Sequence, residues 1–170
     1  IFGGLICLSN YFSSIVILGN PSLRHYVRLL EPRLEPNNHR LHILDSQQVF
    51  MLLSFDSQTR DHKVVRLSWS HMHYDFHWIQ IYSIGTGVWR DLPAPTPTYS
   101  LCDCDQFGGK GTLDGIVFYC AKRKVEDVGD FWYYFVLSFD FDQEEFVEIM
   151  LPESLARSST DSIMLSVVEG

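Results

Sequence analysis

Four places in the chain repeat one pattern, and that repetition limits what the polypeptide can become. Asn20, Asp56, Ser83 and Asp140 each open it with a small polar side chain. Three positions on stand Leu23, Thr59, Thr86 and Gln143; six on, Tyr26, His62, Trp89 and Phe146; nine on, Leu29, Val65, Leu92 and Ile149. An aromatic residue precedes three of the openings, at Phe55, Tyr82 and Phe139. A short oxygen-bearing side chain at a strand end can accept hydrogen bonds from the backbone N–H groups of the turn that follows. The ring six positions on then starts the return strand, and the aliphatic residue three further lies on the opposite face. The frame predicts strand–turn–strand units whose sheets are buried on both faces.

This repetition also settles the stretch YSIGTGVWRDLP, whose Gly85-Thr86-Gly87 could be read as a phosphate-cradling loop. In the other copies that slot holds Gln58-Thr59-Arg60, Asp142-Gln143-Glu144 and Ser22-Leu23-Arg24. A loop built to bind phosphate would not carry acidic residues in a sibling repeat, so the segment is a turn.

The rest of the chain agrees. Its apolar residues fall in about eleven short runs, from GLICL (4–8) and IVILG (15–19) through WYYFVLSF (132–139) to IMLSVV (163–168), broken by Gly, Asn, Asp, Ser and Pro. No long segment keeps helical spacing, and an aromatic content of 14% favours strands. The fold class expected is all-β. The frame openings are 36, 27 and 57 residues apart; the last is close to the kelch blade period of about 50 residues, and the first two together fit one four-stranded sheet made of two hairpins. A kelch-like β-propeller fragment of about three blades follows. The alternative is a β-sandwich, since the same strands suffice for two packed sheets. The 170 residues are read as one domain, 1–170, cut at both ends, because the chain opens on Ile and closes in a strand-like run. Three blades leave apolar faces and unpaired edges, so self-association is expected.

Composition excludes several roles. A net charge of −8 argues against a nucleic-acid binder and against docking on anionic lipid. The apolar runs are too short to span a bilayer as helices. Cys7, Cys102, Cys104 and Cys120 form neither a disulfide framework nor paired CxxC motifs, which suits reduced thiols in the cytoplasm or nucleus.

The candidate chemistry is weighed against plainer explanations. His71, His73, Asp75 and His77 share one face if extended, and alternate histidines can hold zinc; a solvated strand face accounts for them as well, and no distant ligand cluster completes a site. Gly108-Gly109-Lys110-Gly111-Thr112 resembles a phosphate loop but has Cys104 where the first Gly is required, and reads as a flexible entry to the strand GIVFYC. Asp140, Asp142, Glu144 and Glu145 lack the Gly of a calcium loop and belong to a frame turn. Lys122-Arg123-Lys124 reads as one end of a variable loop. No catalytic constellation is visible, so a non-catalytic module without a cofactor is expected. Recognition is expected on the connections Arg33–Asp45, Ser70–His77, Ala94–Gly108 and Lys122–Asp130, since loops on a rigid scaffold concentrate binding residues.

Five ordered segments carry a family resemblance: GGLICLSN with IVILGNPSLRHYVRLLEP, FDSQTRDHKVVRL, IQIYSIGTGVWRDLP, LSFDFDQEEFVEIMLPESL and the closing MLSVVEG. Together they resemble the plant F-box-associated interaction domain, closest to the F-box/kelch-like and S-locus F-box-like proteins. The resemblance implies a substrate receptor of a cullin–RING ubiquitin ligase. Its partners would be a protein to be ubiquitinated and, through an F-box not present in these residues, the ligase adaptor and cullin. His62 departs from the pattern, which usually has Tyr there. The competing classes are a ubiquitin-independent binding propeller and a propeller enzyme with a metal or carboxylate site.

Overall fold

The computed structural model describes residues 4–9, 15–31, 47–70, 75–95, 100–101, 110–125, 131–157 and 165. The chain divides into two compact units, Ile1–Ala94 and Pro95–Gly170. In the first unit β1 (Ile6–Ser9), β2 (Val16–Asn20) and β3 (His25–Arg28) form one antiparallel sheet in chain order. A second antiparallel sheet follows, again in chain order: β4 (Gln47–Asp56), β5 (Asp61–Ser70), β6 (Asp75–Ser83) and β7 (Val88–Leu92). The second unit carries a third sheet, built from β8 (Ser100–Leu101), β9 (Lys110–Leu113), β10 (Ile116–Val125), β11 (Phe131–Asp140) and β12 (Glu145–Met150). There β12, β11 and β10 pair in sequence, and both β8 and β9 pair with β10. Three separate blade-sized sheets, in place of the two of a sandwich, agree with the partial propeller read from the frame.

All four frames form hairpins of one geometry. Asn20 pairs with His25, Asp56 with Asp61, Ser83 with Val88 and Asp140 with Glu145, so each turn has four residues. The opening side chain accepts as expected: Asn20 Oδ1 from Leu23 N, Asp56 Oδ1 from Gln58 N and Thr59 N, Ser83 Oγ from Thr86 N, and Asp140 Oδ1 from Asp142 N and Gln143 N. The register adds what spacing alone did not: the sixth residue lies directly opposite the residue before the opening. Thus Phe55 meets His62 at 5.0 Å between ring centroids, Tyr82 meets Trp89 at 5.1 Å and Phe139 meets Phe146 at 4.7 Å. His62 keeps the aromatic contact despite its departure from the usual Tyr.

The fourth turn residue is left-handed in every copy, with φ of 51° at Arg24, 55° at Arg60, 70° at Gly87 and 58° at Glu144. Only Gly takes that conformation without strain. Gly87→Ala is therefore expected to cost about 1 kcal/mol, chiefly through backbone conformation, because an added Cβ meets only Tyr82 Oη at 3.7 Å. Urea denaturation measures the loss; an unchanged midpoint would show that the turn relaxes instead.

The expectation of burial on both faces holds in the second sheet. Val64, Tyr82 and Trp89 are buried on one side, and Leu52, Val65, Leu67, Ile79 and Ile81 on the other. The first of these faces packs on Val16, Leu18 and Leu29 of the first sheet, with Cys7, Met51 and Leu53 at the margin. It fails at the outer strand β12, where Val147, Ile149 and Met150 are exposed.

Three local readings change. Lys110–Leu113 is strand β9, not a flexible entry: Asp114 and Gly115 both have positive φ and link β9 to β10 as a two-residue hairpin turn. Lys122-Arg123-Lys124 is inside β10, not at a loop end. A single helical turn, α1 (Glu153–Ala156), follows Pro152, whose carbonyl accepts from Leu155 N and Ala156 N, where no helix was expected.

Candidate interaction surface

The four connections expected to bind fall differently on the structure. Arg33–Asp45 lies outside the described residues, as do 71–74, 96–99, 102–109 and 126–130. Ser70 ends β5, Asp75–His77 begin β6, and Lys122–Val125 complete β10. What is described is the sheet framework from which these connections leave, and it is polar and aromatic.

In the second sheet the half remote from the turns carries a linked set of side chains. Arg66 Nη1 donates to Gln80 Oε1 at 3.2 Å; Gln80 Nε2 and Trp78 Nε1 both donate to Asp91 Oδ1 at 3.1 Å. The Arg66 guanidinium also lies 5.6 Å from the Trp78 ring centre. The register puts Arg66 opposite Gln80 and Gln80 opposite Asp91, so three neighbouring strands supply one row. A bulge between Ser68 and Trp69 sits beside it and breaks the regular alternation just before residues 71–74. Gln80 is fully buried, whereas Trp78 is half-buried and Asp91 exposed, so the row leads from the core to the surface. Arg and Trp are the side chains that anchor protein interfaces most often.

Asp91→Ala removes the acceptor shared by Trp78 and buried Gln80. An orphaned buried polar group costs about 1–3 kcal/mol, so a loss of that size is expected in urea melts. Asp91→Asn, which keeps an acceptor, should lose less; equal losses would mean that the carboxylate's charge, not its hydrogen bonds, matters.

The third sheet presents a comparable edge. Arg123 Nη1 lies 3.2 Å from both carboxylate oxygens of Glu148, and its guanidinium sits 5.7 Å from the Tyr133 ring centre and 5.8 Å from that of Phe135. On the opposite face Lys122 Nζ lies 4.9 Å from the Trp132 ring centre and 6.0 Å from that of Tyr134. Cations held over rings gain from the ring quadrupole and cover apolar surface with their stems. The basic run is thus built into the sheet.

The Gly-Thr-Gly turn has its donors filled from within. Asp61, at the start of β5, accepts from Ser83 Oγ at 2.5 Å and from Gly85 N at 2.9 Å. A Cβ on Gly85 would lie 3.4 Å from that carboxylate, so Gly here allows a close approach. A resident carboxylate on the loop's own N–H repels phosphate, which closes the cradle reading on geometry.

Of the metal candidates, His71 and His73 lie outside the described residues; Asp75 and His77 alternate along β6, and their side chains are likewise outside the description. Among the described residues no group of three or more His, Cys, Asp or Glu could hold a metal ion. Among them, too, no helix is long and apolar enough to cross a membrane.

Blade-sized antiparallel sheets, locked by one recurrent turn and edged with cations and rings, place the chain among propeller-type interaction domains. More particularly, residues 3–170 match the family described as the F-box associated beta propeller domain, and the chain belongs to that family. No curated protein matches the chain.

Proposed function

We propose that the chain is the substrate-recognition domain of an F-box subunit of a cullin–RING ubiquitin ligase, acting without catalytic chemistry of its own. The observation that carries this reading is the family match across residues 3–170. The Arg66–Gln80–Asp91–Trp78 row and the Arg123–Glu148 pair support it, since both present anchor-type side chains where the connections leave a rigid sheet. In this role the domain holds a protein close to the ligase, through an F-box and the adaptor that the F-box binds. Its working compartment is the cytoplasm or nucleus.

The natural polypeptide containing this chain, purified from its native tissue, should bring down the adaptor, the cullin and a further protein. In a reconstituted reaction that further protein should gain ubiquitin only when the chain is present. Binding of the protein with no adaptor would favour a ubiquitin-independent binding propeller, and turnover of a small substrate by the isolated chain would favour an enzyme.

A further inference from the structure

The packing of the second sheet on the first reveals which faces of the molecule are left uncovered. At that junction Trp89, the sixth residue of its frame, is only 5% exposed and donates Nε1–H to Leu30 O at 2.7 Å. It rests on Leu29, the ninth residue of its frame, also 5% exposed, and on Val16 and Leu18. One sheet offers the ring beside its turn; the other offers the aliphatic ninth residue.

Both halves of this junction recur uncovered elsewhere. In the first sheet the counterpart of Trp89 is Tyr26, which is 73% exposed. It borders an apolar groove of about 470 Å³ whose lining includes Ile6, Leu8 and Gly19. Gly19 faces Tyr26 in the register, where the other three hairpins place Phe55, Tyr82 and Phe139 against their sixth residues, so no ring of its own hairpin covers Tyr26. In the third sheet the counterpart of Leu29 is Ile149, 44% exposed, with Val147 beside it at 52%. Charge matches as well. The last turn residue and the one after it are Arg24 and His25 in the first sheet, and Glu144 and Glu145 in the third. The groove lining contains no carboxylate, in a chain whose net charge is −8.

We propose that the Tyr26 face of one molecule receives the Ile149 face of a second copy, repeating between molecules the packing of the second sheet on the first. Tyr26 takes the place of Trp89, Ile149 that of Leu29, and the Arg24-His25 turn lies on the same side as Glu144-Glu145. The two faces differ, so the contact is heterologous and adds copies head to tail.

Sedimentation velocity on the 170-residue chain tests this. Association should rise with protein concentration, and Tyr26→Asp or Ile149→Asp should weaken it by about a hundredfold, as expected for a buried apolar anchor turned into a charge. Mixing those two variants is the sharper measurement: each keeps the face the other lacks, so they should form a one-to-one dimer although neither self-associates. Charge reversal supplies variants that keep the turn, because Glu is native at the left-handed position of one hairpin and Arg at that of two others. Arg24→Glu or Glu144→Arg alone should weaken association by about tenfold, and the double reversal should restore it. A chain that stays monomeric, association unaffected by Tyr26→Asp or Ile149→Asp, no dimer on mixing, or a double reversal that fails to restore association would each overturn the proposal.

Discussion

An Asp56→Ala chain is expected to unfold with about 3–5 kcal/mol less stability than the unaltered chain, the range seen when one member of a buried ion pair is removed. Asp56 and Lys63 are both buried, paired across the turn between β4 and β5. The carboxylate also accepts Thr59 Oγ1 at 2.6 Å and the backbone N–H groups of Gln58 and Thr59 at 2.8 and 3.0 Å. Truncation takes the carboxylate away from the buried Lys63 ammonium and frees two turn N–H groups. Asp56→Leu combined with Lys63→Met should recover part of the loss, since no uncompensated charge then remains. A double variant as unstable as the single one would show that the turn hydrogen bonds, not the charge, set the cost.

The same pair fixes a pH dependence. Burial pushes the Asp56 carboxyl upward, but hydrogen bonds from Lys63 and Thr59 and the Lys63 charge outweigh it and hold the group well below its ordinary value of 3.8. A carboxyl with a depressed folded pKa binds fewer protons folded than unfolded, so its contribution is complete above the unfolded pKa. That contribution drains away as pH falls below the ordinary value and through the folded one. Stability measured from neutral pH downward should therefore decline more steeply on the acid side for the unaltered chain than for Asp56→Asn.

The four turns were legible because their chemistry is local: an oxygen at the opening and donors two or three residues on lie within one short window. The left-handed fourth residue was hidden, since Arg24, Arg60 and Glu144 stand where Gly87 alone advertises the conformation. Strand β9 was missed because Gly108, Gly109 and Gly111 suggest flexibility, although Asp114-Gly115 is itself a strong signal for a tight hairpin. Lys122-Arg123-Lys124 looked like a loop because charge is usually solvated; Trp132, Tyr134, Tyr133 and Glu148, which receive it, are on other strands. The Arg66–Gln80–Asp91 row had no such local trace. Its members are 14 and 11 residues apart, and only strand register makes them neighbours. Local backbone chemistry was readable; cross-strand chemistry required the pairing first.

Trp89→Ala should loosen the first sheet from the second. The indole is buried against Val16, Leu18, Leu29, Val64 and Tyr82, and its Nε1–H reaches Leu30 O, 59 residues away in sequence. Removing a buried Trp costs about 3–5 kcal/mol through lost burial and the cavity left behind. Trp89→Phe separates the two contributions: it keeps most of the apolar contact but loses the hydrogen bond to Leu30 O, on an exposed residue, and losing that bond should cost about 0.5–1.5 kcal/mol. The location of the damage is as informative as its size. Strands β1–β3 meet the second sheet through Val16, Leu18 and Leu29, so in Trp89→Ala their amides should exchange faster than those of β5 and β6, whose opposite face keeps Val65, Leu67, Ile79 and Ile81 buried. Equal acceleration in both sheets would mean that they unfold as one unit, and that Trp89 stabilises the whole and not the junction.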